Sequence, residues 1–152
     1  MGAFFKKTVP WLCPLLIFVW VSTANAATGE AKPFAENRIV LQISDNDPSK
    51  QTLILNVANN LVKAYGADNV DIQIVAFGPG LRLLFAENAN TGRIKSLVDN
   101  AEVKFHACSN TIVGVTKKLG SKPEINHLAS TDSPGIVRIM DLVKDGYLLV
   151  KP

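Results

Sequence analysis

Residues 103–120 have the sequence VKFHACSNTIVGVTKKLG, in which a strand pattern passes directly into a helical one. A strand is predicted over 102–107, and a helix from Ser109 or Asn110 onward. Gly120 is typical of the left-handed residue that follows a helix. The apolar face of this helix is expected to comprise Ile112, Val113, Thr116 and Leu119. The chain therefore contains at least one unit in which a strand leads straight into a helix.

The same pattern occurs closer to the N-terminus. Residues 38–44 form a β-branched apolar run that predicts a strand. Asp47 can then cap a helix, Pro48 suits its first turn, and Gly66 is a natural residue to end it. The buried face of this helix is predicted to comprise Leu53, Val57, Leu61 and Tyr65.

Further alternation is predicted along the rest of the chain. Residues 71–77 form a strand that gives way to a Gly-Pro-Gly turn and a short helix, and residues 93–99 form another helix. A fourth strand is predicted over 124–128 and a closing strand over 147–150. The last helix should open at Ser133-Pro134, end at Gly146 and bury Ile136, Ile139, Met140 and Val143.

Strand and helix alternation with short connections implies a parallel sheet, because parallel strands need crossovers and these are right-handed. We therefore predict a three-layer α/β/α fold with a mainly parallel sheet of about five strands. Ligand sites in such folds lie at the carboxyl ends of the strands. The residues that follow three of the strands are expected to converge there on one pocket: Asp45, Asn46, Gly78, Pro79, Gly80, Cys108, Ser109 and Asn110. Turn formation and helix capping are the alternative explanation for the glycines and for Asp45 and Asp47.

Cys108 is the candidate reactive residue of this pocket. It lies where the third strand becomes a helix, and a helix N-terminus favours the thiolate, which is the nucleophilic form of cysteine. His106, two residues earlier, is a candidate base, although strand histidines are often structural or solvated. The alternative for Cys108 is a small buried hydrophobic residue.

The first 26 residues have the features of a secretory signal peptide. Two lysines precede an apolar run that is too short to span a membrane, and Ala24-Asn25-Ala26 supplies a small-x-small cleavage site. Cleavage removes Cys13, so Cys108 becomes the single cysteine of a periplasmic or secreted protein. An uncleaved anchor is the alternative. Residues 27–37 are predicted to be a flexible segment and residues 38–152 the folded domain.

Several classes of function are not favoured by the sequence. Removal of two lysines lowers the formal net charge from +3 to +1, and no basic run follows Lys7, so nucleic acid is not an expected partner, and neither is a membrane after cleavage. No Gly-x-Ser-x-Gly, phosphate-loop or dinucleotide motif occurs. His106, His127 and Cys108 lack metal-ligand spacing, so we expect no metal and no cofactor.

The segments after the predicted strands resemble the DsrE/DsrF-like family in its exported branch. The resemblance covers residues 38–152 and rests on residues 43–47, 56–61, 75–81, 105–111 and 146–147. Its most specific features are the Phe-x-Ala-Cys-x-Asn-Thr element that begins at Phe105 and the Gly-Pro-Gly-Leu turn that begins at Gly78. The resemblance implies a DsrEFH-like fold and assembly with itself or a homologue. Sulfur-relay members such as TusD and DsrE carry a persulfide on a cysteine at this strand end, which implies that role for Cys108.

The leading hypothesis is thus an exported sulfur carrier or sulfurtransferase accessory that receives sulfur from a donor and passes it to an acceptor thiol. The relay subunits of the family are cytoplasmic, so an exported chain is not expected to share their tRNA-thiolation or sulfite-reductase roles. Two alternatives remain open: a non-catalytic small-ligand-binding or assembly module, and a redox-sensing thiol that forms sulfenic acid or mixed disulfides.

Overall fold

The computed structural model describes residues 1–2 and 31–152, and Ala31–Pro152 form one compact unit. Most of the predicted signal peptide, the cleavage site and Cys13 lie outside the described residues. The end of the segment predicted to be flexible is anchored, because the Lys32 Nζ donates to the carbonyls of Ala67 at 2.6 Å and Ala101 at 2.7 Å. No helix among the described residues is long and apolar enough to cross a membrane.

Within the described residues, five parallel strands form one sheet: β1 (Asn37–Ile43), β2 (Val70–Ala76), β3 (Lys104–Ala107), β4 (Ala129–Ser130) and β5 (Leu148–Val150). Their order in the sheet is β4-β3-β2-β1-β5. Consecutive strands from β1 to β4 are neighbours, and β5 returns to the free side of β1. This confirms the predicted parallel sheet.

Helices cover both faces of the sheet, which confirms the three-layer architecture. They are α1 (Pro48–Tyr65), a 3-10 helix (Gly78–Leu84), α2 (Thr91–Ala101), α3 (Ser109–Leu119) and α4 (Gly135–Lys144). The crossovers between β1 and β4 all step in one direction, so right-handedness places their helices on one face. The crossover to β5 steps back, so α4 covers the other face. The two buried clusters agree with this placement of the helices on opposite faces. Leu41 packs with Ile54 of α1, whereas Val40 packs with Ile139 of α4.

The fourth strand differs from the prediction. It occupies Ala129–Ser130 instead of 124–128, and Ile125 forms only an isolated antiparallel bridge with Phe85. Asn126 makes a local turn, because its side-chain oxygen accepts a hydrogen bond from the backbone N–H of Leu128 at 3.0 Å. An asparagine that bonds its own backbone competes with strand pairing, which explains why the strand begins later.

The predicted inner faces of the helices were partly wrong. On α1, Leu53 and Tyr65 are exposed, and Ile54 and Leu55 are buried in their place. On α3, only Ile112 of the predicted face is fully buried. On α4, Ile136, Met140 and Val143 are exposed, while Gly135, Ile139 and Leu142 face the sheet. Periodicity identified these helices correctly but not their rotation about their own axes, which depends on what each helix packs against.

Candidate functional site

The backbone of Cys108 is held between the sheet and α3. Its N–H donates to the carbonyl of Ala76 in β2 at 3.0 Å, and its carbonyl accepts the N–H of Ile112 at 3.0 Å, as the N-cap residue of α3 does. Only 7% of the residue is exposed. The strand end and the helix start therefore fix this residue in one position.

A second helix N-terminus meets the same thiol. Gly135 is the first residue of α4, and a Cβ atom at that position would lie 3.1 Å from the Cβ and 3.5 Å from the Sγ of Cys108. The same atom would lie 3.1 Å from the Cβ of Phe77. A side chain at this position would crowd Cys108 and Phe77, so a glycine suits the close approach of α4 to the sulfur. Sequence analysis did not identify Gly135, although a glycine directly after Ser133-Pro134 was a visible signal.

The surroundings of Cys108 favour the thiolate. Burial raises the pKa of the thiol, but hydrogen bonding from the Thr111 side chain and from the backbone N–H groups of Gly135, Thr111 and Asn110 outweighs burial, and the pKa is lowered from its ordinary value. The Thr111 hydroxyl oxygen accepts the N–H of Gly78 at 2.9 Å. This bond leaves the hydroxyl hydrogen free to point at the sulfur.

The glycine turn after β2 has two separate roles. Gly78 contacts the cysteine site through Thr111. Gly80 is instead a packing residue, because a Cβ there would overlap the carbonyl of Ile43 at the end of β1. Pro79 lies in the first turn of the 3-10 helix, where proline is well tolerated. The turn thus brings the ends of β1 and β2 together beside α3.

Asp45 and Asn46 contact groups of α1 and the 3-10 helix. Asp45 forms an ion pair with Lys50 in α1 at 3.1 Å. Asn46 lines a separate cavity of about 210 Å3 together with Arg82. Asp47 caps α1 through Ser49, and hydrogen bonds from Ser49 lower the pKa of its carboxyl group. These contacts give the turn a capping and ion-pairing role.

Both ring nitrogens of His106 are engaged by neighbours other than Cys108. Nδ1 lies 2.7 Å from the Ser130 hydroxyl, and Nε2 lies 2.8 Å from the side-chain oxygen of Gln73. Burial, and then the charge of Arg138, lower the pKa of His106 to about 4. A histidine in this arrangement is a weak base whose lone pair is occupied, so the geometry does not support the base role.

His106 belongs to a buried polar network between the sheet and α4. Tyr147 donates to Asp71 at 2.6 Å, and the Gln73 amide group donates to the Tyr147 oxygen at 2.9 Å. Arg138 of α4 donates to the Gln73 oxygen at 3.0 Å. Sequence analysis did not identify this network. The available signal was the alternation of Asp71 and Gln73 with isoleucines in β2, which places both polar side chains on one face of the strand.

An open groove lies next to the cysteine site. Its volume is about 490 Å3, and it is lined by Ser109, Ile112, Val113, Thr116, Lys117, Lys122 and Thr131. His127 is exposed and lines an adjoining groove of about 470 Å3, which shares Lys122 and Thr131. Within residues 1–2 and 31–152, no group of three or more His, Cys, Asp or Glu side chains could hold a metal ion.

Comparison with known proteins identifies the fold. No protein-family model matches the chain. No curated protein matches it either. A solved structure of a protein of unknown function, MTH1491 from Methanobacterium thermoautotrophicum, is similar in fold, with a TM-score of 0.67 and 24% sequence identity. The match covers 77% of this chain and 100% of that one. The chain therefore shares its fold with a solved protein across most of its described length.

Proposed function

We propose that this chain is an exported sulfur carrier or sulfurtransferase accessory of the DsrE/DsrF-like type, which holds sulfane sulfur as a persulfide on Cys108. The observation that carries the proposal is the placement of the Cys108 sulfur between the N-termini of α3 and α4, where the pKa of the thiol is lowered. Backbone N–H groups at two helix N-termini stabilise an anionic sulfur, whether thiolate or persulfide.

The proposed chemistry requires no oxidant and no cofactor. With thiosulfate as donor, the Cys108 thiolate attacks the outer sulfur, the S–S bond of thiosulfate breaks, and sulfite leaves with the bonding electron pair. The product is the Cys108 persulfide anion. An acceptor thiolate then attacks the outer sulfur of this persulfide, which forms a new S–S bond and returns Cys108 as a thiolate.

A carrier must hold the persulfide without losing it to a neighbouring thiol of the same chain. Among the described residues, Cys108 is the only cysteine, and it is free. A second thiol within reach would attack the persulfide and release sulfide as an internal disulfide formed. The lack of such a neighbour in residues 31–152 supports a carrier over a dithiol oxidoreductase.

Partners and location are part of the same proposal. The signal-peptide features support a location in the periplasm or outside the cell. Its partners are small sulfane-sulfur compounds or proteins that donate and accept sulfur. Self-assembly fits the apolar side chains that α4 and β5 expose, including Ile136, Met140 and Leu148.

Intact mass measurement tests the proposal. Reduced mature protein, residues 27–152, is incubated with thiosulfate or polysulfide beside a Cys108→Ser control. We expect the wild type alone to gain one or more sulfur atoms, and a reductant to remove them. A folded wild type that gains no sulfur from any sulfane donor would contradict the proposal. Native mass spectra of the same samples report how many copies assemble.

The groove beside α3 favours the binding module as a second candidate. Its lining includes the apolar side chains of Ile112 and Val113, which suits a small apolar ligand. If the chain only binds such a ligand, the Cys108→Ser variant will retain full function. The redox-sensor alternative instead predicts oxidation of Cys108 without any gain of sulfane sulfur.

A further inference from the structure

We propose that Gln73 and Arg138 are positioning residues, which hold the first turn of α4 against the sulfur of Cys108. This inference deepens the proposed function, because it concerns the same thiol. It rests on a chain of contacts that runs from the centre of the sheet to the N-terminus of α4. The hydrogen-bond donors that lower the pKa of Cys108 include the backbone N–H of Gly135, and Gln73 and Arg138 act through that backbone.

The buried polar network has one consistent direction of donation. An Asp71 carboxylate can only accept, so Tyr147 must donate to it at 2.6 Å. The Tyr147 oxygen then accepts from the Gln73 amide nitrogen at 2.9 Å. Because the nitrogen end of the Gln73 amide is thereby assigned, its oxygen faces His106 and Arg138 as an acceptor.

The oxygen of Gln73 accepts two hydrogen bonds. His106 donates from Nε2 at 2.8 Å, and Nδ1 of the ring accepts from Ser130 of β4 at 2.7 Å. Arg138 donates from Nη2 at 3.0 Å. Gln73 is fully buried and held from both ends, so it presents a fixed acceptor to α4.

Arg138 lies in the first turn of α4, three residues after Gly135. Its bond to Gln73 fixes the rotation of that turn, and Gly135 at the start of the same turn packs on Cys108. Ser109 also ties the segment before α4 to α3, through a bond from its N–H to the carbonyl of Ser133 at 3.1 Å. Loss of the Arg138 bond should therefore loosen the helix start without detaching it.

The test measures how the rate of Cys108 alkylation by iodoacetamide depends on pH in the reduced mature protein. The variants are Arg138→Met, Gln73→Met and the double variant. Lys144→Met, which removes a cation from the exposed end of α4, is the matched control. We expect each single substitution to raise the apparent pKa of Cys108 by about half a unit to one unit. The double variant should raise it no further, because both changes break one contact.

Three outcomes would overturn the inference. If Arg138→Met raises the pKa and Gln73→Met does not, the arginine acts by its charge alone. If the double variant shows the sum of the two shifts, the residues act independently. If neither substitution shifts the pKa more than the control does, the network has no effect on the thiol.

Hydrogen exchange keeps the test decisive if Gln73→Met fails to fold. The Gly135 amide of Arg138→Met should exchange several-fold faster than that of Lys144→Met, because its turn has lost a tether. Equal exchange rates would overturn the inference. Alkylation and exchange need no sulfur donor, so failure of the sulfur-carrier proposal and failure of this inference are distinguishable.

Discussion

At the scale of single residues, Thr111 contributes to the lowered pKa of the Cys108 thiol. Its hydroxyl accepts the N–H of Gly78 and favours the thiolate. We expect Thr111→Val to raise the apparent pKa of Cys108 by about half a unit to one unit, since a hydrogen bond to the charged form is lost. Alkylation near pH 7 should slow several-fold, as measured by the pH dependence of its rate.

Thr116→Val is the matched control for this prediction. The Thr116 hydroxyl donates to the carbonyl of Ile112 in the same helix at 2.8 Å and is not among the groups that shift the thiol. Equal alkylation profiles for the two variants would contradict the assigned role of Thr111.

The sequence was sufficient to nominate Cys108, because a strand end next to a helix start is a local feature. The contacts of Gly78 and Gly135 with that site depend on distant crossovers, so no local pattern indicated them.

At the scale of secondary-structure elements, the start of α4 is limited by the space beside Gly135. A methyl group there would meet both Cys108 and Phe77 at 3.1 Å. We expect Gly135→Ala to lower the free energy of unfolding by about 1–3 kcal/mol, because α4 must shift away from the sheet. Urea denaturation followed by circular dichroism measures this change. The rate of Cys108 alkylation should also change in this variant.

Gly114 in α3 provides the opposite case. A Cβ there meets no atom within 4 Å, and alanine is the better helix former, so Gly114→Ala should stabilise the protein by about 0.5–1 kcal/mol. A similar loss of stability in both variants would show that the packing at Gly135 is not special.

Cap residues such as Asp47 and Gly66 predicted helix ends well because their signals are local. The buried face of α4 was partly mispredicted because the rotation of the helix depends on contacts with other elements, such as those of Gly135 and Arg138.

At the scale of the whole molecule, the polar network couples stability to pH through His106. Burial, followed by the charge of Arg138, lowers the pKa of this histidine from 6.5 to about 4 in the folded state. The unfolded chain therefore binds a proton more readily between these values. The contribution of His106 to the free energy of unfolding is therefore fully present above about pH 6.5 and is lost as the pH falls toward 4. At about 1.4 kcal/mol per pKa unit, this group contributes up to about 3 kcal/mol.

Urea unfolding at a series of pH values between 4 and 7 measures this dependence. We expect His106→Gln to lower stability at pH 7 but to flatten its decline toward pH 4, because the group that binds the proton on unfolding is gone. His127→Gln, at an exposed position, should keep the wild-type slope. Equal slopes for His106→Gln and the wild type would contradict the coupling. Protonation adds a proton at Nδ1, which faces Ser130, and places a positive charge near Arg138, so the hydrogen bond of Arg138 to Gln73 should weaken over the same acidic range in which stability falls.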